Sequence, residues 1–197
     1  MWKPQNFPSC LNAFHLNLAQ NEISADNGLL LRVCRTLPKV GEFDCGLEDL
    51  NEYFIQDAVA ARALRLSETY ELVLPSKGYS LPGLVSLSND AILLNKIDGK
   101  CDVPDRMRYP FWPAVKIGRL GTQRELQGEG VGTFLLEMIK TMFTTNNRTG
   151  CRIITVDAYA RKDTLRFYEK NHFQFLTPED AGHRTRAMFF DLNTYQP

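Results

Sequence analysis

A mixed α/β fold is the class this sequence predicts, and three observations predict it. Short segments that alternate or run apolar have β character; other segments repeat apolar residues at helical spacing. The two kinds follow one another as β, α, β, β and then β, α, β, α, β, β, which calls for a sheet covered by helices. A glycine-rich turn joins a strand to the longest helical segment, as in α/β proteins that bind anions at a helix start.

Residues 1–28 are mixed and poorly periodic, with Pro4, Pro8, Gly28 and several Asn, and read as an irregular N-terminal extension to a single domain over 29–197. Leu29 to Arg35 is β-like. Leu47 to Leu66 reads as a helix, because Leu47, Leu50, Tyr53, Phe54, Ala58, Ala61 and Leu64 recur three and four apart. Thr69–Pro75 and Gly83–Asn89 read as the strands of a hairpin. From Ala91 to Pro113 the pattern breaks around Asp98, Gly99, Pro104 and Pro110, which predicts a connection with at most a short helix. Ala114–Thr122 is the next strand. Val131, Phe134, Leu135, Met138, Ile139, Met142 and Phe143 then form the cleanest apolar stripe, predicting a helix over Glu129–Phe143. Cys151–Ala158 is a β-branched run that suits a buried strand, Asp163–Asn171 a short helix, and His172–Leu176 and Arg184–Leu192 two closing strands.

Lys+Arg and Asp+Glu each number 23 in 197 residues, so the net charge demands neither a nucleic acid nor a membrane, although a total leaves a local basic face open. Cys10, Cys34, Cys45, Cys101 and Cys151 are widely spaced, with no C-x-x-C pair to support a zinc site or redox couple. They read as reduced thiols of a cytoplasmic protein. The start, Met1-Trp2-Lys3-Pro4-Gln5, has no apolar core of a signal peptide, and no apolar run is long enough to span a bilayer.

Chemistry concentrates in Gln127-Gly128-Glu129-Gly130-Val131-Gly132-Thr133. Glycines reach positive φ freely, so such a turn can aim several N–H groups at one anion, and the helix start adds its positive dipole end. No Lys-Ser/Thr follows, which excludes a P-loop; the third glycine comes one position early for a dinucleotide fingerprint. The spacing that fits is Gln-x-x-Gly-x-Gly over Gln127, Gly130 and Gly132. A tight strand-to-helix turn without ligand is the plain alternative.

With these motifs assembled, the chain resembles the GNAT acetyltransferase superfamily. Gln127–Thr133 resembles its pyrophosphate motif and Arg119-Leu120-Gly121-Thr122 the strand before it. Thr155–Ala158 followed by Leu165–Phe173, with Phe167-Tyr168-Glu169-Lys170, resembles its second motif. Phe43-Asp44-Cys45-Gly46, Leu50-Asn51-Glu52-Tyr53-Phe54 and Tyr109-Pro110 resemble the branch containing acetyltransferase toxins of toxin–antitoxin pairs and their non-toxic relatives.

The resemblance implies a mixed central β-sheet flanked by helices, its fourth and fifth strands splayed around acetyl-CoA. It places the diphosphate on N–H groups of Gln127, Gly128, Glu129, Gly130, Val131, Gly132 and Thr133, and the pantetheine arm beside Leu120, Gly121 and Thr122. It makes Tyr168 the general acid that protonates the departing thiolate after direct attack by a primary amine. No metal is implied. Asp157 is a weak candidate base, and His15, His172 and His183 read as structural. Three departures stand out. Glu129 occupies a position where relatives carry a base, for which Arg124 could compensate; His172 replaces a glycine, so that Asn171 would carry positive φ; Ala160-Arg161-Lys162 replaces an expected Asn.

The first functional expectation is an acetyl-CoA-dependent N-acetyltransferase of unidentified amine acceptor. The second is a toxin acting on aminoacyl-tRNA, with Arg62, Arg65, Arg106 and Arg108 toward the RNA. The third is an acyl-CoA-binding module without turnover. A homodimer is a candidate assembly, and no membrane partner is expected.

Overall fold

The computed structural model describes residues 14–17, 22–25, 30–39, 41–74, 80–107, 109–145, 147 and 149–196. In chain order the elements begin with β1 (Phe14–Asn17), β2 (Glu22–Ala25), β3 (Leu30–Val33), α1 (Glu48–Glu52), a π-helical turn (Tyr53–Asp57) and α2 (Ala58–Ala63). Next come β4 (Glu68–Leu74), β5 (Ser80–Leu93), α3 (Leu94–Ile97), β6 (Phe111–Thr122) and α4 (Val131–Thr144). β7 (Ile153–Tyr159), α5 (Lys162–Lys170), β8 (Gln174–Phe175) and β9 (Thr185–Asp191) complete them. The chain divides into two compact units, one of 1–87, 119–142 and 197, the other of 88–118 and 143–196.

In the first unit, β1, β2, β3, β4 and the start of β5 pair antiparallel in that order. The irregular extension expected over 1–28 is thereby corrected: it holds β1 and β2, each too short to display a period, while residues 1–13 lie outside the described residues. β3 turns Leu31 and Val33 inward. The helix expected over 47–66 forms from Glu48 to Ala63, and Arg65 closes it at φ 59. Its π-helical turn packs more residues into a turn than an α-helix does, so a stripe read at 3.6 residues slips beyond it. Leu50, Phe54 and Ala58 are buried as the stripe requires, but Leu64 is 70% exposed.

α4 buries Val131, Phe134, Leu135, Met138 and Ile139 as expected. It also buries Leu136, Thr141 and Lys140, whose ammonium meets Glu137 at 2.7 Å. Gly83 on β5 makes room for this helix: a Cβ there would lie 2.8 Å from the Leu135 side chain.

In the second unit the order is β6, β7, β9, β8. β6 and β7 are parallel, pairing Ala114–Ile117 with Ile153–Val156, and the ladder stops there although β6 runs on to Thr122. β7 pairs with β9 antiparallel along its full length. Ile92, Ile97, Trp112, Ala114, Ile153 and Phe189 form the core. Arg152, just before β7, pairs with Asp191 through Nη2 at 2.8 Å and lies 4.9 Å over the Trp112 ring. The expected connection over 91–113 contains α3 and a 3₁₀ turn at Asp105–Met107.

Candidate functional site

β6 ends at Thr122, a 3₁₀ turn spans Arg124–Leu126, and the glycine turn leads into α4. Gly128 and Gly130 adopt φ 83 and 89, a region that strains any residue with a Cβ. The first helical bond runs from Phe134 N–H to Gly130 O at 2.9 Å. The N–H groups of Val131, Gly132 and Thr133 precede it and have no acceptor within the helix. Among the described residues none accepts from the N–H of Gly128 or Gly130 either. A set of unpaired donors at the positive end of a 14-residue helix is chemically suited to a phosphate.

Two of the expected donors already have partners within the turn. The N–H of Gln127 bonds to Arg124 O and that of Glu129 to Leu126 O, both at 3.3 Å, so they close the turn on itself. The Gln127 side chain donates to Cys45 O at 2.8 Å and Thr122 O at 3.3 Å; it fastens the loop from behind. The exposed Arg124 guanidinium, expected to compensate for the missing base at 129, pairs with the Asp44 carboxylate at 3.2 Å and covers Gly46. Gly121 is a packing glycine. A Cβ there would meet Phe43, Cys45 and Phe54, each at 3.2 Å. Leu120 and Thr122 are half-buried on the last part of β6, beyond the β6–β7 ladder.

The fastening reaches back some eighty residues. Arg124 N–H donates to Asp44 O at 2.8 Å, and Asp44 N–H donates to Gln123 Oε1 at 3.0 Å. Asn51 Nδ2 and Gly46 N–H each donate to Asp44 Oδ1 at 2.8 Å, and Cys45 N–H donates to Asn51 Oδ1 at 2.9 Å. The Asn51 amide and the Gly46 N–H hold the Asp44 carboxyl below its ordinary range. Sequence reading missed Asp44, Asn51 and Gln123 as parts of this arrangement; the only signal was that Asp44 and Asn51 fall inside family-like motifs.

In the second unit Tyr168 lies on α5, 5% exposed, its ring 5.0 Å from Phe167 and 5.3 Å from Phe173. Its hydroxyl has no hydrogen-bond partner among the described residues, and burial pushes the phenol well above its ordinary value. It is therefore a neutral phenol with its proton uncommitted. Asp157, the weak candidate base, is exposed and paired with Lys116 Nζ at 2.6 Å. The positive φ expected of Asn171 belongs to His172, at φ 66; buried Asn171 donates to Phe167 O at 2.8 Å and caps α5. His183 sits in an exposed turn. Among the described residues no cluster of His, Cys, Asp or Glu could hold a metal. No helix described is long and apolar enough to cross a membrane.

No family model and no curated protein matches this sequence. Solved structures do. AtaT complexed with acetyl-methionyl-tRNAfMet superposes with a TM-score of 0.68 at 22% identity, over 84% of this chain and 96% of that one. The chain has the GNAT fold. AtaTR bound with acetyl-CoA gives 0.66 at 22% identity, over 85% and 95%. A Tyr→Phe mutant of KacT gives 0.67 at 21%, over 83% and 96%.

Proposed function

We propose that the chain is an N-acetyltransferase that takes acetyl-CoA and transfers the acetyl group to a primary amine. The observation that carries this is the set of unpaired N–H groups over Gly128 and Gly130–Thr133 at the start of α4, within a fold shared with AtaTR bound with acetyl-CoA. Acetyl-CoA supplies a thioester-activated acetyl group. The loop amides hold its diphosphate, and the N–H and C=O groups of Leu120 and Thr122 accept the pantetheine arm as an added strand. Tyr168, protonated at neutral pH, is the proton donor to the departing thiolate, and its phenolate is reprotonated from water. In this reading water accepts the amine proton.

The similar AtaT toxin, in one structure complexed with acetyl-methionyl-tRNAfMet, favours a second reading in which the acceptor is the amino group of an aminoacyl-tRNA. Of the arginines expected to face RNA, Arg62 is paired with Glu68 at 2.7 Å, Arg65 and Arg106 are exposed, and Arg108 lies outside the described residues.

Release of free thiol from acetyl-CoA, measured across amines, peptides and charged tRNA, identifies the acceptor. In the same assay Tyr168→Phe is expected to lower turnover about 10- to 1,000-fold, with coenzyme affinity within about twofold of wild type. Unchanged turnover removes Tyr168 from the chemistry. Coenzyme binding without thiol release for any acceptor marks a binding module instead.

A further inference from the structure

The glycine loop has few contacts of its own. The main-chain bonds from the N–H groups of Gln127 and Glu129 are long, at 3.3 Å, its glycines carry no side chains to pack, and Gln127 through Gly130 are exposed. What fixes it is the segment Asp44–Gly46. Asp44 O accepts from Arg124 N–H, Asp44 N–H donates to Gln123, and Cys45 O accepts from Gln127. That segment is in turn gripped by one side chain from α1. Asn51 uses both ends of its amide, donating to Asp44 Oδ1 at 2.8 Å and accepting from Cys45 N–H at 2.9 Å.

We propose that Asn51 is a positioning residue for the anion-binding loop, acting through Asp44 and Cys45. The inference rests on the coenzyme reading above for its ligand but on hydrogen bonds alone for its geometry. An amide suits this place because one end must donate to a carboxylate and the other must accept from a peptide N–H. Alanine offers neither, and a carboxylate at position 51 would face Asp44 with no proton to give.

The test uses the full chain, coenzyme A titrated by calorimetry, steady-state kinetics with acetyl-CoA, and hydrogen exchange over 123–130. Asn51→Ala is expected to weaken coenzyme A binding and raise the KM for acetyl-CoA by about tenfold, the loss of roughly one hydrogen bond's worth of preorganisation. kcat stays within about threefold, since the proton donor is untouched. Exchange over 123–130 accelerates. Asn51→Asp, which keeps an acceptor for Cys45 N–H but sets a second carboxylate against Asp44, is expected to lose at least as much affinity as Asn51→Ala. A folded Asn51→Ala that binds coenzyme A like wild type, with unchanged exchange, overturns the proposal. If wild type binds no coenzyme A while exchange still accelerates in the variant, the coenzyme reading falls and the positioning role stands.

Discussion

His172 sits at φ 66 with an exposed imidazole, directly after the cap that Asn171 makes on α5. A side chain with a Cβ is strained in that region, by about 1 kcal/mol. Replacing His172 with glycine is expected to stabilise the chain by about 0.5–1 kcal/mol, read as an upward shift of the denaturation midpoint with an unchanged slope. A fall in stability would mean the imidazole makes compensating contacts. At this scale the sequence was only partly legible. The departure at His172 was visible, but which of two neighbours took the positive φ depended on Asn171 being buried with its amide on Phe167 O. The role of Tyr168 as a buried neutral phenol could be anticipated from its motif; the engagement of Asp157 by Lys116 could not, because that pair joins adjacent strands far apart in sequence.

For elements, the proposed function makes one device of the loop and α4: the glycines aim donors and the helix supplies the field. Gly130→Val forces a β-branched residue into φ 89, so the turn must rearrange and the donors diverge. Coenzyme affinity should drop about tenfold or more by calorimetry while the far-ultraviolet spectrum is kept; equal affinity would contradict the cradle. α4 was legible because its core-facing stripe is long and regular, and β7 because β-branched residues fill it. β1 and β2 were not, each being four residues long with polar positions. The fate of Leu64 was lost to the π-helical turn, which no 3.6-residue pattern reveals. The bonds between Asp44–Gly46 and Gln123–Gln127 leave no local signature at all.

Over the whole molecule, the charges sum to zero but the titrating groups are not neutral to folding. Asp44 is held low by Asn51 and Gly46. Burial alone would raise Asp180 and Asp191, but for Asp180 the Ala187 N–H and Arg186, and for Asp191 Arg152 and the Asn193 N–H, outweigh it and hold both below the ordinary 3.8. Such carboxylates stabilise the fold above about pH 4 and lose that contribution as pH falls through their lowered values. Burial pushes the Cys34, Cys101 and Cys151 thiols up to about 11 from 9.0, so the fold keeps their protons while the unfolded chain releases them. Stability then declines as pH climbs from about 9 toward 11. The melting temperature is expected to be flat between pH 5 and 8 and to fall on both sides, which scanning calorimetry across pH would show; an alkaline limb unaltered in a Cys34→Ala, Cys101→Ala, Cys151→Ala triple variant would assign that decline to other groups.

The tie between Asp44–Gly46 and Gln123–Gln127 also bears on inheritance. A glycine turn borrowed from a cousin and spliced in by itself would arrive without its clasp, however good its own residues. Recombination that exchanges both stretches together keeps lock and key matched, so these distant pieces of chain should descend as one heritable part.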